Sequence, residues 1–356
     1  MTIRTVLVCE AQVPFVEGGA ELHVRSLVAE LRARGYDAEL VSIPFKWYPK
    51  EEILAHAAAW RLIDLSESNG RTIDCVIATK FPTYFVRHPH KVTWLIHQYR
   101  AAYELAGTPY SDFDHIESDV ALRRTLLDLD TRMLRESRRV FANARNTARR
   151  AERFNGIAAK ALYHPPQLAG RLHGGEYGSY VLSVGRLETV KRAQLAIEAM
   201  ASVDAGVSLV IVGDGTQRAN TEAAVERLGL RDRVRFAGSV PTETLIDLYA
   251  GALAVVYAPY DEDFGYVTLE SFLSRKPVIT SRDSGGPLEF VDDGVNGAVC
   301  EPEAGSIAVA INAYAADRRR AASHGDAGYA RASEITWDGV IEALLQDAPD
   351  GASSGS

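Results

Sequence analysis

The sequence predicts an α/β protein built from two doubly wound, Rossmann-like parallel sheets. Short β-rich runs alternate with helical patterns along most of the 356 residues, an order typical of parallel strands joined by crossover helices. The alternation is interrupted at Tyr163-His164-Pro165-Pro166, because two adjacent prolines can continue neither a helix nor a central strand. A chain of this length also suits two domains, so we expect one on each side of the proline pair.

The first half opens with a buried strand at Thr5–Cys9 and a helix at Gly19–Arg34. The apolar residues of that helix recur at helical spacing, and Gly35 follows where a glycine commonly ends a helix. Further strands of this half are predicted at Ala38–Ile43, Cys75–Thr79, Val92–His97 and Val140–Asn143.

The second half repeats the alternation after the proline pair. Its predicted strands are Tyr180–Val184, Ser208–Val212, Val234–Ala237, Ala254–Tyr257 and Pro277–Thr280. Its predicted helices are Lys191–Met200, Thr221–Leu228, Thr242–Tyr249 and Gly265–Arg275. Ligands of such sheets bind at the carboxyl ends of the strands, so the residues that follow each strand are the candidates for chemistry.

Composition excludes several classes of protein. The chain is 47% hydrophobic and 24% charged, which is ordinary for a globular protein, and its net charge of −8 argues against nucleic acid as a partner. The longest apolar stretch, near Ala252–Ala258, is far shorter than the roughly 18 residues of a membrane span. Three distant cysteines, Cys9, Cys75 and Cys300, predict neither a zinc site nor a disulfide framework and suit a reducing cytoplasm.

Residues 122–153 hold ten arginines against four acidic residues. One interpretation is the solvated face of a helix. The other is a surface that meets anionic lipid or a phosphorylated acceptor. The sequence leaves both interpretations open.

Gly18 and Gly19 follow the first strand and open the first predicted helix. Exposed amides and the helix dipole at such a start favour an anion, for example a diphosphate. The alternative is a tight turn that needs a positive φ angle at glycine.

Two cations follow the first strand of the second half. Arg186 stands at the end of that strand, after Gly185, and Lys191 comes five residues later. Together they could neutralise a diphosphate leaving group, although a pair of surface cations is the alternative. Gly213-Asp214-Gly215, after the next strand, predicts a turn rather than a dinucleotide loop, because Arg218 stands where a third glycine would be needed.

Two acids flank the start of another helix in the second half. Glu262 lies in the loop after a strand, and Glu270 lies about one turn into the following helix. Carboxylates accept hydrogen bonds from vicinal hydroxyls, so this pair suits two parts of a polyhydroxylated ligand. An acidic first helical turn would explain Glu262 but not Glu270.

Two smaller predictions concern backbone amides and a histidine. The amides near Phe264–Val267, which include Gly265 and Tyr266, are expected to form the N-terminus of the helix that carries Glu270. His97 ends a strand of the first half, where a ligand-facing position competes with a packed or surface histidine.

Taken together, these motifs resemble the retaining glycosyltransferases of the GT-B fold, in the large family 4. The resemblance covers nearly the whole chain and depends on the order and spacing of several short motifs. The motifs are Gly18-Gly19-Ala20-Glu21, Ser183-Val184-Gly185-Arg186-Leu187 with Lys191, Val212-Gly213-Asp214-Gly215, Val234-Arg235-Phe236-Ala237-Gly238, Glu262 with Glu270, Lys276-Pro277-Val278-Ile279 and Gly285-Gly286-Pro287-Leu288-Glu289. The sequence departs from the family where Arg192 and Arg275 replace the usual glycine or small residue.

The resemblance implies a role for each position. Gly18 and Gly19 would cap the donor diphosphate from the first domain, and Arg186 and Lys191 would bind it from the second. Glu270 would hold the ribose, Glu262 the transferred sugar, and His97 would approach that sugar. The backbone of Phe236–Val240, through Phe236, Gly238 and Val240, would meet the base.

The same resemblance implies a domain plan and a function. It implies an acceptor-side domain at 1–165, a nucleotide-sugar domain at 166–332 facing it across a cleft, a helix at 333–347 that returns to the first domain, and a disordered tail at 348–356. We expect a cytoplasmic, metal-independent retaining hexosyltransferase with no cofactor beyond its nucleotide-sugar co-substrate. The Gly285-Gly286-Pro287 loop resembles that of some mannosyltransferases and favours GDP-mannose as donor.

The acceptor implied is a saccharide or a lipid-linked saccharide in bacterial surface-glycan assembly. Acceptor contacts are expected around Lys80–Tyr84 and His97–Tyr103. The alternatives are a UDP-sugar transferase, a nucleotide-sugar epimerase, a dinucleotide-dependent oxidoreductase and a non-catalytic partner subunit. The lack of a complete G-x-G-x-x-G fingerprint argues against the oxidoreductase.

Overall fold

The computed structural model describes residues 3–16 and 18–346, which divide into two units. The first unit comprises the chain up to His164 and again from Thr336 onward, and the second runs from Pro165 to Ile335. The tail predicted at 348–356 lies outside the described residues. Within the described ranges, no helix combines the length and the apolar character that a membrane crossing requires.

The first unit is a parallel six-stranded sheet with helices on both faces. In chain order its strands are β1 (Thr5–Gln12), β2 (Asp37–Pro44), β3 (Glu67–Ser68), β4 (Arg71–Thr72), β5 (Cys75–Ala78), β6 (Lys91–Leu95), β7 (Arg139–Ala142) and β8 (Lys160–Ala161). Strands β3 and β4 form a separate antiparallel hairpin, and the other six are ordered β2-β1-β5-β6-β7-β8. The first four helices are α1 (Gly19–Ala33), α2 (Glu52–Leu62), α3 (Glu117–Arg135) and α4 (Arg145–Asn155).

The second unit is also a parallel six-stranded sheet, in the order β11-β10-β9-β12-β13-β14. Its strands are β9 (Tyr180–Val184), β10 (Ser208–Val212), β11 (Val234–Gly238), β12 (Ala254–Val256), β13 (Val278–Ser281) and β14 (Gly297–Cys300). Its helices are α5 (Ala193–Ala199), α6 (Arg218–Arg227), α7 (Thr242–Gly251), α8 (Tyr266–Leu273), α9 (Ala304–Ala316) and α10 (Arg318–Ser333). Two doubly wound α/β sheets are therefore confirmed.

The last helix of the described chain, α11 (Trp337–Leu345), belongs to the first unit. Its buried residues Val340, Ile341 and Leu344 join the apolar cluster that α1 and the first sheet form. The ring of Trp337 lies edge-on to Trp94 of β6, with 6.0 Å between ring centroids. The predicted return of a C-terminal helix to the first domain is confirmed.

The predicted helix at Lys191–Met200 is wrong in its first part. Thr189–Lys191 forms a short 3-10 turn, and Arg192 then adopts a left-handed backbone, with a φ angle of 50°. Helix α5 begins only after it, at Ala193. A residue in that conformation cannot lie inside an α-helix, so the apolar spacing alone placed the helix start too early.

Each sheet has one point at which the strand order reverses. In the first unit the reversal lies between β1 and β5, and in the second between β9 and β12. Loops at the carboxyl ends of the two strands diverge there and leave a crevice, which is where ligands of such sheets bind.

Candidate active site

In the second unit, the predicted site residues Arg186, Lys191 and Glu262 meet at the reversal point of the sheet. The loops involved follow β9, at residues 185–192, and β12, at residues 257–265. A cavity of about 10 Å³, the size of one water molecule, lies between these loops. Gly185, Arg186 and Lys191 line it from one side and Tyr257 from the other.

Lys191 and Glu262 form an ion pair across this point. The Lys191 ammonium donates to Oε2 of Glu262 over 2.5 Å, with 20% and 13% of the two side chains exposed. The buried Tyr257 hydroxyl also hydrogen-bonds Glu262, and burial followed by that negative charge raises the pKa of Tyr257. The structure therefore joins two residues to which the sequence gave separate roles.

Arg186 offers a second cation beside this pair. Its side chain is exposed, and within residues 3–16 and 18–346 it makes no hydrogen bond or ion pair. Its backbone follows Gly185, whose φ angle of 145° turns the chain out of β9. A guanidinium in this position can form two parallel hydrogen bonds to a phosphate.

The loop that carries Glu262 is fixed by its backbone. The amide of Asp261 donates to Asp283, that of Glu262 donates to Ser284, and the Glu262 carbonyl accepts from Gly286 at 2.7 Å. A Cβ atom on Gly286 would lie 2.5 Å from the Asp263 carbonyl oxygen. Gly286 of the Gly285-Gly286-Pro287 motif thus permits close packing of two loops.

Helix α8 presents its N-terminus next to this loop. Gly265 precedes it with a φ angle of 87°, and a Cβ there would lie 2.9 Å from Pro287. Phe264 and Val267 are buried and Tyr266 is half-buried, so the backbone amides are what this turn can offer a ligand. No side chain caps the helix among the described residues.

Glu270 lies one turn into α8, as predicted, and is half-buried. Its Oε2 accepts a hydrogen bond of 2.7 Å from the hydroxyl of Tyr249, which is fully buried. Burial raises the pKa of Glu270, and the Tyr249 hydrogen bond offsets part of that rise. The tyrosine holds one carboxylate oxygen in place and leaves the other for a hydroxyl group.

The Gly213-Asp214-Gly215 segment, predicted as a turn, is an irregular loop after β10, and the turn lies at residues 216–217. A Cβ on Gly213 would lie 2.1 Å from the Gly185 carbonyl oxygen, and one on Gly215 would lie 2.6 Å from that of Leu187. Both glycines therefore pack closely against the backbone of the loop after β9.

The segment Phe236–Val240, whose backbone was expected to meet the nucleotide base, is only partly available to a ligand. The Gly238 carbonyl accepts from the Gly213 amide at 2.8 Å, and the Arg218 guanidinium lies 4.5 Å from the ring centre of Phe236. Val240 is half-buried in the loop that follows β11. The Gly238 carbonyl is therefore engaged within the protein, whereas Val240 retains some exposure.

Gly18, Gly19 and His97 lie in the first unit. Gly18 caps α1 with an extended backbone, at a φ angle of −154°, so the left-handed turn considered as an alternative is not formed at Gly18. Its amide donates to Glu21 Oε2 at 2.9 Å, so a carboxylate of the chain itself occupies this helix start. Glu21 also pairs with Lys80 at 2.5 Å.

His97 follows β6 and is half-buried. Its Nδ1 lies 2.7 Å from the Gln98 carbonyl oxygen, an acceptor, so Nδ1 carries the proton. His97 is thereby oriented by its own backbone neighbour.

Several residues of the site have no counterpart in the sequence predictions. Tyr249 and Tyr257 contact the two glutamates, while Arg192 and Asp283 form an ion pair beneath them. The signal that could have revealed Arg192 is its departure from the glycine of the family pattern. Among the described residues, no three histidine, cysteine, aspartate or glutamate side chains converge as a metal site would require.

The arginine-rich segment is only partly a solvated surface. Arg123 donates to the Ala102 carbonyl, Arg139 donates to the carbonyls of α11, and buried Arg150 pairs with Glu104 at 3.3 Å. The remaining arginines are exposed: Arg124, Arg132, Arg135, Arg138, Arg145, Arg149 and Arg153.

The two doubly wound sheets define a protein of the GT-B fold. The chain superposes on the crystal structure of Anabaena Alr3699/HepE in complex with UDP and glucose with a TM-score of 0.69, over 96% of this chain and 99% of that one, at 20% identity. Residues 175–331 match the family model of glycosyl transferases group 1. The similarity to that family, which the sequence motifs predicted, is thus located in the second unit.

Two curated relatives align with part of the chain. D-inositol 3-phosphate glycosyltransferase of Segniliparus rotundus is 31% identical over 175 residues, which are 46% of this chain and 38% of that protein. The human alpha-1,3/1,6-mannosyltransferase ALG2 is 32% identical over 170 residues, 43% of this chain and 41% of its own length. The chain thus matches about two fifths of the length of each relative.

Proposed function

We propose that the protein is a retaining glycosyltransferase that moves a hexose from a nucleoside diphosphate sugar to a saccharide or lipid-linked saccharide. The observation that carries the proposal is the convergence of Arg186, Lys191 and Glu262 at the reversal point of the second sheet, with Glu270 one turn into the adjoining helix. Cations for a diphosphate and carboxylates for sugar hydroxyls then lie at one crevice.

The proposed chemistry follows from the charges. Departure of a nucleoside diphosphate leaves negative charge on its terminal phosphate, and Arg186 and Lys191 would stabilise that charge. The Lys191–Glu262 pair must open for this purpose, because the ammonium that now faces Glu262 would turn to the phosphate. Glu262 would then accept a hydrogen bond from a hydroxyl of the sugar, while Glu270 would hold the ribose.

The donor we favour is GDP-mannose, as the Gly285-Gly286-Pro287 motif and the similarity to a mannosyltransferase suggest. The structural likeness to a protein crystallised with UDP and glucose makes a UDP-sugar the other candidate. We also propose that Gly18, Gly19 and His97 of the first unit serve the donor, that the enzyme acts in the cytoplasm, and that it needs no metal ion.

Thermal unfolding with a panel of ligands tests the donor directly. UDP, GDP, UDP-glucose, GDP-mannose and NAD would each be added to the wild-type protein. A ligand at 100 times its dissociation constant stabilises by about 2.7 kcal/mol, which raises the midpoint by several degrees. We expect a shift with one nucleoside diphosphate and its sugar. A shift with NAD alone would contradict the proposal, as would no shift with any ligand.

The exposed arginines of α3 and α4 support a second, peripheral role at an anionic surface. Arg124, Arg132 and Arg135 lie on α3, and Arg145, Arg149 and Arg153 lie on α4. Each basic residue near an anionic bilayer contributes about 1 kcal/mol of attraction. We expect stronger partitioning onto phosphatidylserine vesicles than onto phosphatidylcholine vesicles at low salt. Equal partitioning onto both would exclude this role.

A further inference from the structure

Arg192 connects three loops at the reversal point of the second sheet. Its guanidinium donates to the carbonyl oxygens of Ala258 and Pro259, at 2.9 and 2.8 Å, in the loop after β12. It also binds both carboxylate oxygens of Asp283 at 2.7 Å, in the loop after β13. Because Arg192 is itself the last residue of the loop after β9, its side chain joins that loop to the other two.

These loops hold the charged pair of the candidate site. Lys191 directly precedes Arg192, and the Val190 carbonyl accepts from the Tyr260 amide at 2.7 Å. Glu262 lies two residues after Tyr260, and its amide donates to Ser284 in the third loop. A shift of the Arg192 guanidinium would therefore change the distance between Lys191 and Glu262.

The backbone at Arg192 is strained for the residue it carries. A φ angle of 50° is left-handed, a conformation that glycine adopts without cost and other residues adopt rarely. The side chain is only 12% exposed, and its bonds to Asp283 and Ser281 at 2.7 and 2.9 Å are satisfied inside the protein. Strain of this kind persists where surrounding contacts impose it, which these hydrogen bonds do.

The Asp283 carboxylate carries the negative charge that this guanidinium pairs with. Burial alone would raise the pKa of Asp283, but hydrogen bonds from Arg192 and Ser281 outweigh burial and lower the pKa below its usual value. The carboxylate is thus kept charged and paired near neutral pH.

We propose that Arg192 is a positioning residue for donor binding: it fixes the spacing of Lys191 and Glu262 without contacting the donor. The inference rests on the proposed function, and it explains why a residue other than glycine is present at a left-handed position. We call the bonds from Arg192 to the loops after β12 and β13 the Arg192 clamp. Because a misplacement of about 1 Å at such a site can reduce catalysis by 10²-fold, loss of this clamp has a measurable effect.

The chain contains a matched control. Arg275 also has a left-handed backbone, with a φ angle of 55°, and also replaces a residue that is usually glycine or small. Its side chain pairs with Asp326 and lies over the Tyr329 ring, outside the loops that hold Lys191 and Glu262. Arg192→Gly and Arg275→Gly therefore both relieve backbone strain, but only the first removes the connection between the loops.

The first arm of the experiment needs no ligand. Hydrogen–deuterium exchange of the amides of Tyr260, Asp261 and Glu262 would be compared in wild type, Arg192→Gly and Arg275→Gly. We expect faster exchange at these amides in Arg192→Gly only. Unchanged exchange in that variant would overturn the clamp, whatever the function of the protein.

The second arm measures binding of UDP and GDP by calorimetry. We expect the dissociation constant of the nucleotide that wild type binds to rise at least ~10-fold in Arg192→Gly and to stay within about 2-fold in Arg275→Gly. Arg192→Lys should bind the nucleotide more tightly than Arg192→Gly but less tightly than wild type. The lysine ammonium can pair with Asp283, but it cannot form the two parallel hydrogen bonds of the planar guanidinium.

Each outcome of the two arms has a distinct meaning. Faster exchange with unchanged affinity in Arg192→Gly would overturn the role in donor binding, as would equal losses of affinity in both glycine variants. Failure of wild type to bind either nucleotide would overturn the proposed function and the donor role together, while the exchange arm would still decide whether the clamp exists.

Discussion

Both units place a lysine–glutamate pair where the strand order of the sheet reverses. In the first unit, Lys80 follows β5 and meets Glu21 of α1 at 2.5 Å, with 8% and 6% of the side chains exposed. In the second, Lys191 meets Glu262 at the same distance, but 20% and 13% of the side chains are exposed. The pair Lys80–Glu21 is therefore shielded from solvent, and we call it the closed pair. The pair Lys191–Glu262 is partly exposed, and we call it the open pair.

The difference indicates which pair can serve a ligand. Two charges that are almost fully buried are held together by the cost of separating them in a medium of low polarity. A pair with access to solvent can exchange one partner for a phosphate or a hydroxyl at far lower cost. An exposed guanidinium, Arg186, also lies next to the open pair.

The largest expected effect comes from breaking the closed pair. Lys80→Met leaves the Glu21 carboxyl buried without its cation, and loss of one partner of a buried ion pair typically costs about 4 kcal/mol. Burial alone would raise the pKa of Glu21, but Lys80 and backbone hydrogen bonds lower it, so the charge depends on Lys80. Urea unfolding would measure the loss, and Lys80→Met combined with Glu21→Gln should recover part of it. A free energy of unfolding of Lys80→Met equal to that of wild type would contradict the proposed difference between the two pairs.

The next effect falls on activity rather than stability. Glu270→Ala should reduce sugar transfer by at least ~100-fold, the usual scale for loss of one group that stabilises developing charge or orients the donor. Glu226→Ala, which removes an exposed carboxylate of α6, is the control and should retain full activity. Steady-state transfer from the donor that the thermal panel selects is the measurement. Near-normal turnover in Glu270→Ala would refute the site assignment.

A smaller effect distinguishes the two helix starts. Gly265→Ala places a Cβ at a left-handed position and against Pro287, so it should cost about 1–2 kcal/mol and weaken donor binding. Gly18→Ala, at an extended backbone, should cost less than about 1 kcal/mol. Thermal unfolding of the two variants compares them, and equal losses would contradict this account of the glycines.

The smallest effect concerns pH. Each unit has a carboxyl group that a buried tyrosine hydroxyl contacts, namely Asp130 with Tyr103 and Glu270 with Tyr249. Burial raises the pKa of Asp130 to about 7, and the tyrosine hydrogen bonds offset part of the rise. The folded state then binds a proton that the unfolded state releases, so stability from this group is complete below about pH 4 and is lost as the pH rises to 7.

Asp130→Asn removes this titration. The midpoint of thermal unfolding should fall between pH 5 and pH 8 in wild type by several degrees more than in Asp130→Asn. Parallel pH profiles of the two proteins would show that Asp130 is charged in the folded state.

The fold followed from the sequence because strands and helices have different apolar spacing and because the proline pair interrupts the alternation. What spacing could not provide was the conformation of single residues. The apolar spacing predicts Arg192 in the first turn of a helix. In the structure its φ angle is 50°, and it lies between the 3-10 turn that ends at Lys191 and helix α5, which begins at Ala193. Its ion pair with Asp283 joins residues that are 91 positions apart, and no local pattern predicts such a contact.

The sequence predicted individual site residues in both units, but it did not predict the contacts that those residues make within the protein. Glu262 and Glu270 were predicted because a strand-end loop and the first turn of a helix leave few other reasons for two acids. The pairing of Glu262 with Lys191 and the contact of Tyr249 with Glu270 were not predicted, since they depend on how β9, β12 and α7 pack. At Gly18, an anion site was predicted from a helix start that Glu21 of the same helix occupies.

The central claim is that the open pair of the second unit binds a nucleoside diphosphate. Calorimetric titration of UDP and GDP into wild type, Lys191→Ala and Arg231→Ala tests it most directly, because Arg231 is an exposed cation of the same unit that pairs only with Glu226 among the described residues. The account predicts that wild type and Arg231→Ala bind one of the two nucleotides with equal affinity, and that Lys191→Ala binds it at least ~10-fold more weakly. Equal affinity in all three proteins, or no binding to wild type, would contradict it.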